Sequence, residues 1–210
     1  KTWSDFIVLM DTQKAKGRRP LALDGSVASA KAYYFQFLSQ SAVSPEGWQN
    51  ALLDATGAAW ADPGFLTAAQ TIEKLAKGDY FITGYNASKF PAMEDKWANN
   101  DSDFIIMGTW LPAEVRSVAA SGFDFRSFRI PAVGTHKAPP LSLSGAAMGI
   151  AKASKNQETA KRFLSFLLRK QNEQLVAANE LPVRSDVTLA PSLTALASDI
   201  SSGDINTVLT

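Results

Sequence analysis

Apolar residues recur along most of this chain at helical spacing, and short apolar runs that read as strands separate the helices. Phe6, Ile7, Leu9 and Met10 mark the buried face of a helix that Thr2 or Ser4 caps and Gly17 stops. Pro20-Leu21-Ala22-Leu23 then predicts a short strand before Asp24-Gly25. The helix expected from about Ala28 to Ser39 carries Tyr33, Tyr34, Phe35, Phe37 and Leu38. One buried stripe cannot hold that much aromatic surface, so part of it is assigned to a groove or an inter-lobe surface. Ser44-Pro45-Glu46 starts the next helix by N-cap and N1-proline logic, with Trp48, Leu52 and Leu53 at helical spacing. Asp62-Pro63 opens a longer helix through Phe65, Leu66, Ala69, Ile72 and Leu75 to Gly78. Another is expected to restart at Asn86-Ala87-Ser88, with Met93 and Trp97 on one face.

The run from Asp103 to Trp110, DFIIMGTW, has a different pattern. Phe104 to Met107 reads as a buried strand, Gly108 lets the backbone turn, and Trp110 stands where the chain leaves the sheet. Ligands sit at such strand ends in open α/β sheets. A Trp face there is a platform for a sugar ring or another flat apolar surface, although a core position is the commoner fate of such a residue. Ser127 to Ile130 predicts a strand closed by Pro131, and Ala132 to Pro140 a hinge or linker. Ser142 to Ile150 reads as a small-residue strand. The strongest helix follows, from about Asn156 to Leu168, with Ala160, Phe163, Leu164 and Leu167 on its buried face. Leu181-Pro182-Val183-Arg184 is a break, and the tail from Pro191 carries an amphipathic helix through Leu193, Leu196 and Ile200. Short strands separated by helices give an α/β class.

Composition narrows the function. With 21 basic and 20 acidic residues the net charge is +1, which argues against a nucleic-acid binder. No cysteine is present, so a disulfide framework and a cysteine zinc site are excluded. The one histidine, His136, lies in a loop-like stretch and argues against a His-cluster metal site and a Ser-His-Asp triad. No metal, cofactor or catalytic residue is assigned. A glycoside hydrolase would need two carboxylates across a cleft. Asp101, Asp103 and Glu114 flank the Trp110 strand, but Asp101 and Asp103 suit a turn better. The Gly-containing runs SLSG and GAAMG lack the Walker lysine and the GxGxxG spacing of nucleotide sites. A protein-interaction module with exposed aromatics is the third class. Trp48, Trp60 and Trp97 fall on helix faces and read as core.

Several segments, in order, resemble the extracellular solute-binding proteins of bacterial ABC sugar importers, the maltodextrin-binding-protein-like family 1 group. Thr2-Trp3-Ser4-Asp5-Phe6 is similar to the start of that family's second lobe. Trp60-Ala61-Asp62-Pro63 and Gly78-Asp79-Tyr80-Phe81 are similar to its central helix and exit. Ile106-Met107-Gly108-Thr109-Trp110 resembles its strand and sugar-stacking Trp. Ala147 to Ala151, Ser154-Lys155-Asn156 and Phe163-Leu164 resemble its return to the first lobe, and Leu181 to Arg184 its Leu-Pro-Val-Arg turn. The chain departs from the family at Trp97 to Phe104, where a Gly-Lys-Ala-Ala-Met run usually stands.

The resemblance implies a helix-rich α/β fold of the periplasmic-binding-protein type II, two lobes with mixed sheets, the first lobe incomplete in this chain. Residues 1–140 would be most of the second lobe and 141–210 the returning part of the first. The implied function is an extracytoplasmic receptor, periplasmic or a cell-surface lipoprotein, that binds a carbohydrate and delivers it to ABC permease subunits without chemistry. The aromatic supply suits an oligosaccharide. Membrane contact would come only through the permease or a lipid anchor outside this segment. Trp110 is the expected stacking residue. Of Tyr33 and Tyr34, one is expected to face the ligand and the other to pack. Ser144 and Gly145 either contact ligand or allow tight strand packing, and Arg184 either pairs with hydroxyls or is solvated. An isolated 210-residue chain, without sheet neighbours after Leu141, is expected to lack a cooperative thermal transition.

Overall fold

Thr2 caps the first helix, α1 (Trp3–Lys14), with a reciprocal box. Its hydroxyl accepts from the Asp5 N–H at 3.2 Å, and its own N–H donates to the Asp5 carboxylate at 2.8 Å. The computed structural model describes residues 2–134, 141–142, 148–177, 188–189, 193–201 and 205–206. Met10 is fully buried on α1, whereas Leu9, expected on the same face, is exposed. The chain continues through β1 (Leu21–Ala22), α2 (Ala28–Val43), α3 (Pro45–Leu53), α4 (Pro63–Lys77), α5 (Ala92–Ala98), β2 (Phe104–Ile105) and α6 (Leu111–Val115). It then gives β3 (Leu141–Ser142), α7 (Gln157–Ala177), α8 (Thr194–Ser201) and β4 (Ile205–Asn206).

The first sheet is small and parallel. Leu21 pairs with Phe104 on β2 and bridges to Phe81 on its other side, which places β1 in the middle. Alternation across this layer divides the core. Leu21, Leu23, Phe81, Phe104 and Ile106 face a cluster built with Met10, Tyr34 and Leu75. Ala22, Ile82, Ile105 and Met107 face the opposite cluster, built with Met93, Trp97, Leu111 and Val115. A third cluster joins Val43, Trp48, Ala51 and Phe65. The second described pairing, β3 with β4, is also parallel.

The helices follow their caps more closely than their expected faces. Ser44 accepts from the Gly47 N–H at 3.1 Å and starts α3; Asp62 accepts from the Gly64 N–H at 2.8 Å and starts α4. Gly64 lets α4 approach α2, since a Cβ there would stand 2.7 Å from the Ala42 carbonyl oxygen. The buried face of α4 is Phe65, Ala68 and Leu75, with Ile72 partly covered; Leu66 and Ala69 point out. Leu52 and Leu53 of α3 are likewise exposed.

Four expected elements differ. No helix begins at Asn86: the Ser88 hydroxyl oxygen accepts from the distant Gly25 N–H at 3.3 Å, and the chain makes a 3-10 turn at Tyr85–Ala87 before α5. The strand expected over Asp103 to Trp110 is regular only at Phe104–Ile105, although its side-chain alternation runs on to Met107. Residues 127–130 form no strand, and Phe128 sits half-exposed with its ring against Phe6 and Phe104. Helix α7 extends beyond Leu168, but Phe163 on its expected buried face is 59% exposed, and Ala160, Leu164 and Leu167 are only half-covered.

Candidate functional site

Because β1, the Phe81 bridge and β2 run parallel, their C-terminal ends emerge on one side of the layer. Asp24-Gly25, Ile82-Thr83 and Gly108-Thr109-Trp110 leave from those ends. Trp110 has helical backbone angles and leads directly into α6, so the turn is short and fixed at both sides. The indole folds back across Gly108: a Cβ at that glycine would lie 2.0 Å from Cζ3 and 2.2 Å from Cη2 of Trp110. Glycine is therefore what allows this orientation. The ring of Tyr33, in the second turn of α2, stands 6.3 Å from Trp110 between centroids at an interplanar angle of 60°. Both side chains are half-exposed, and together they form an aromatic corner at the strand ends.

Tyr34, grouped above with the candidate ligand contacts, is placed otherwise. It is 2% exposed, its hydroxyl donates to the Ala22 carbonyl at 2.8 Å, and its ring packs edge-on against Phe81. Burial pushes its hydroxyl well above the ordinary phenol range, and the backbone bond from Ile106 offsets part of that. Helical geometry explains the division, since neighbouring positions point about 100° apart and only one can face the core. Ser144, Gly145, Arg184 and His136 lie outside the described residues. Trp48 and Trp97 are buried, as core residues should be, whereas Trp60 is 39% exposed and covers Phe65 at 4.6 Å between centroids.

The carboxylates sort by strand end. Asp103 stands at the opposite, N-terminal end of β2, where the Arg18 guanidinium donates to both its oxygens at 3.0 and 3.1 Å. Asp101 is exposed in the preceding turn, its N–H bonded to Lys96 O. Two acidic residues that sequence reasoning passed over lie on the Trp110 side. Asp24 follows β1 and accepts from the Met93 N–H at 3.2 Å through Oδ1; its Oδ2 is buried without a protein partner. Glu94 is 2% exposed, and its Oε2 is likewise unpartnered. Burial first, then the negative charges of Glu114, Asp24 and Asp95, push the Glu94 carboxyl up to about 7. Partial burial also raises Glu114, on the exposed side of α6. A signal for Glu94 was present: it shares an i, i+3 face with Trp97 and adjoins Met93. Among the described residues no group of three acidic or histidine side chains is placed to hold a metal ion, and no helix is long and apolar enough to cross a membrane.

Residues 1–174 match the bacterial extracellular solute-binding protein family. The chain belongs to that family. Its fold is shared with solved binding proteins. RafE from Streptococcus pneumoniae, without ligand, is 17% identical with a TM-score of 0.71 over 96% of this chain, and RafE in complex with raffinose is 18% identical at 0.75 over 95%. A structure from work on xylan utilisation by Caldanaerobius polysaccharolyticus is 16% identical at 0.78 over 99%. A chitin oligosaccharide binding protein is 20% identical at 0.73 over 96%. In each case the solute-binding chain described here spans 53 to 55% of the other protein's length. No curated protein matches the sequence. The architecture is thus the type II periplasmic-binding-protein fold, α/β and helix-rich, as the resemblance implied.

Proposed function

We propose that this protein is the extracytoplasmic substrate-binding component of an ABC importer, and that it takes a carbohydrate, specifically an oligosaccharide, in a cleft between two lobes. The observation that carries this reading is the half-exposed Trp110–Tyr33 corner at the C-terminal ends of parallel strands, in a chain of the solute-binding family. The raffinose complex of RafE and the chitin oligosaccharide binding protein, which share the fold, support a sugar over other solutes.

Residues 1–140 form most of the second lobe in this reading, and residues 141–210 are the chain's return into the first. The apolar ring faces of the sugar stack on Trp110, with Tyr33 closing the side of the corner. Closure of the lobes removes water, which strengthens each hydrogen bond to the hydroxyls, and the ligand shifts an open–closed equilibrium by its differential affinity. No bond is made or broken, so the protein is a receptor and not an enzyme. It acts outside the cytoplasm, in the periplasm or as a surface lipoprotein, and its partners are the permease subunits. The hydrolase alternative finds little support, because Asp103 is engaged by Arg18 at the wrong end of β2.

Calorimetric titration of the full-length protein with a panel of mono- and oligosaccharides tests the proposal. Saturable binding of one sugar class without hydrolysis is expected. Trp110→Ala should weaken it by roughly tenfold or more, about 1.4 kcal/mol, with the fold retained. Gly108→Ala, which displaces the indole, should weaken it in the same direction. Silence across the panel, or unchanged affinity in both variants, would sink the carbohydrate reading.

A further inference from the structure

The end of the layer that carries Trp110 and Tyr33 is also where the loop before α5 is fastened. The Ser26 N–H donates to the Ser88 carbonyl at 2.9 Å, the Gly25 N–H to the Ser88 hydroxyl at 3.3 Å, and the Met93 N–H to Asp24 Oδ1 at 3.2 Å. Ser88 and Met93 are thereby tied to the exit of β1. Between them the Ala92 N–H donates to the Lys89 carbonyl at 2.9 Å and folds the stretch into a turn. Phe90 stands on that turn, 55% exposed, and belongs to none of the three core clusters. A lone exposed phenylalanine on a loose loop needs no explanation. This one is held on both sides by bonds to the sheet exit.

Two packed helices set its distance from the aromatic corner. Helix α5 starts beside Asp24 and ends near Arg18, which donates to the Asn100 carbonyl at 2.7 Å and to Asp103 at the other end of β2. Helix α6 starts at Trp110, and past its end the Ala120 N–H donates to the Ala98 carbonyl at 2.9 Å. The Asn99 side chain donates to the Val118 carbonyl, also at 2.9 Å. The two helices therefore run side by side in one direction, with Met93 and Leu111 of their first turns in one core cluster. Phe90 precedes the first and Trp110 the second. Packed helix axes lie about 8–10 Å apart. The two aromatics thus stand at one end of the layer, separated by more than a single pyranose ring covers.

We propose that Phe90 is a second aromatic platform of the Trp110–Tyr33 cleft, stacking a sugar ring beyond the one on Trp110, so that the ligand is a chain of at least two rings. The inference rests on the carbohydrate reading and deepens it. A phenyl ring offers apolar area and no hydrogen bond, so this platform selects by chain length and not by hydroxyl pattern.

The experiment is calorimetric titration of the full-length protein, wild type beside Phe90→Ala, Phe90→Trp and Trp110→Ala. The probes are glucose, xylose and N-acetylglucosamine, each with its linear oligosaccharides of increasing length, and galactose with raffinose. Wild-type affinity is expected to rise with chain length within one series. Phe90→Ala should remove that rise, a loss of roughly tenfold on the longer chains. It should leave the shortest sugar that binds, and the unfolding midpoint, unchanged. Phe90→Trp should keep the rise, and Trp110→Ala should lower affinity at every length. If Phe90→Ala matches the wild type at every length, or loses equally at every length, the platform is overturned and the carbohydrate reading stands. Wild-type silence across all series overturns that reading and the platform with it. Lost uptake by cells with unchanged titrations would give Phe90 to the permease, which overturns the platform as well.

Discussion

Helix α4 buries Phe65, Ala68 and Leu75 against α2 and the first sheet, whereas the 21-residue α7 leaves Phe163 and Phe166 more than half exposed. Both carry apolar residues at i, i+3, i+4 and i+7 spacing. The difference teaches that periodicity states which face of a helix needs cover and is silent on what supplies it. Within residues 2–134 the cover is local, since α1, α2, α4 and α5 sandwich the two-stranded β1–β2 sheet and its Phe81 bridge. For α7, none of the described residues from Gln157 to Lys170 is fully buried. The chain spans 53 to 55% of the length of the solved binding proteins named above.

The contrast can be broken most directly at its two cores. Leu75→Ala should cost about 2–5 kcal/mol by urea unfolding, through lost burial and the cavity left behind. In the 210-residue chain, which is expected to lack a cooperative transition, Phe163→Ala should leave the hydrogen-exchange protection of α4 and α7 unchanged, as a surface change does. In the full-length protein, Phe163→Ala should cost about 3–5 kcal/mol if that face is covered. A large effect of Phe163→Ala in the 210-residue chain would show that α7 is packed there after all.

A smaller effect is expected at the helix starts. Asp62→Ala removes the acceptor of the Gly64 N–H and should cost about 1 kcal/mol. On α7, the Glu158–Lys161 pair at 2.7 Å is solvated on both sides, so Lys161→Ala should change stability by no more than about 0.5 kcal/mol. Hydrogen exchange of the 210-residue chain sharpens the same contrast: α4 amides near Leu75 should exchange more slowly than α7 amides near Phe163. Equal protection would end the comparison.

What was legible in the chain follows the same division. Thr2, Ser44-Pro45 and Asp62-Pro63 each announced a helix start that the structure keeps, because capping is satisfied by residues two or three positions away. The DFIIMGTW run placed a Trp at a strand end next to a glycine, and both features recur in the folded chain. Asn86-Ala87-Ser88 misled for an instructive reason. Its serine satisfies carbonyls of Tyr85 and of Leu23, and the second partner is 65 residues distant.

The candidate site was legible only in outline. Trp110 and Tyr33 were both marked by sequence, but their 6.3 Å approach depends on α2 and the β2 exit sharing one end of the layer. That Tyr34 packs inward was decided by the Ala22 carbonyl waiting beneath it. Asp24 and Glu94, 70 positions apart, drew no notice as separate acids.

The sequence by itself determined the helix caps, the strand alternation and the family, since these rest on local backbone chemistry and on motifs read in order. Tertiary structure alone decided which of two adjacent tyrosines is buried, which apolar helix face finds a partner, and that two carboxyls distant in sequence, Asp24 and Glu94, are both withdrawn from water. Burial and electrostatics are sums over everything nearby, and what is nearby is set by the packing of elements far apart in the chain.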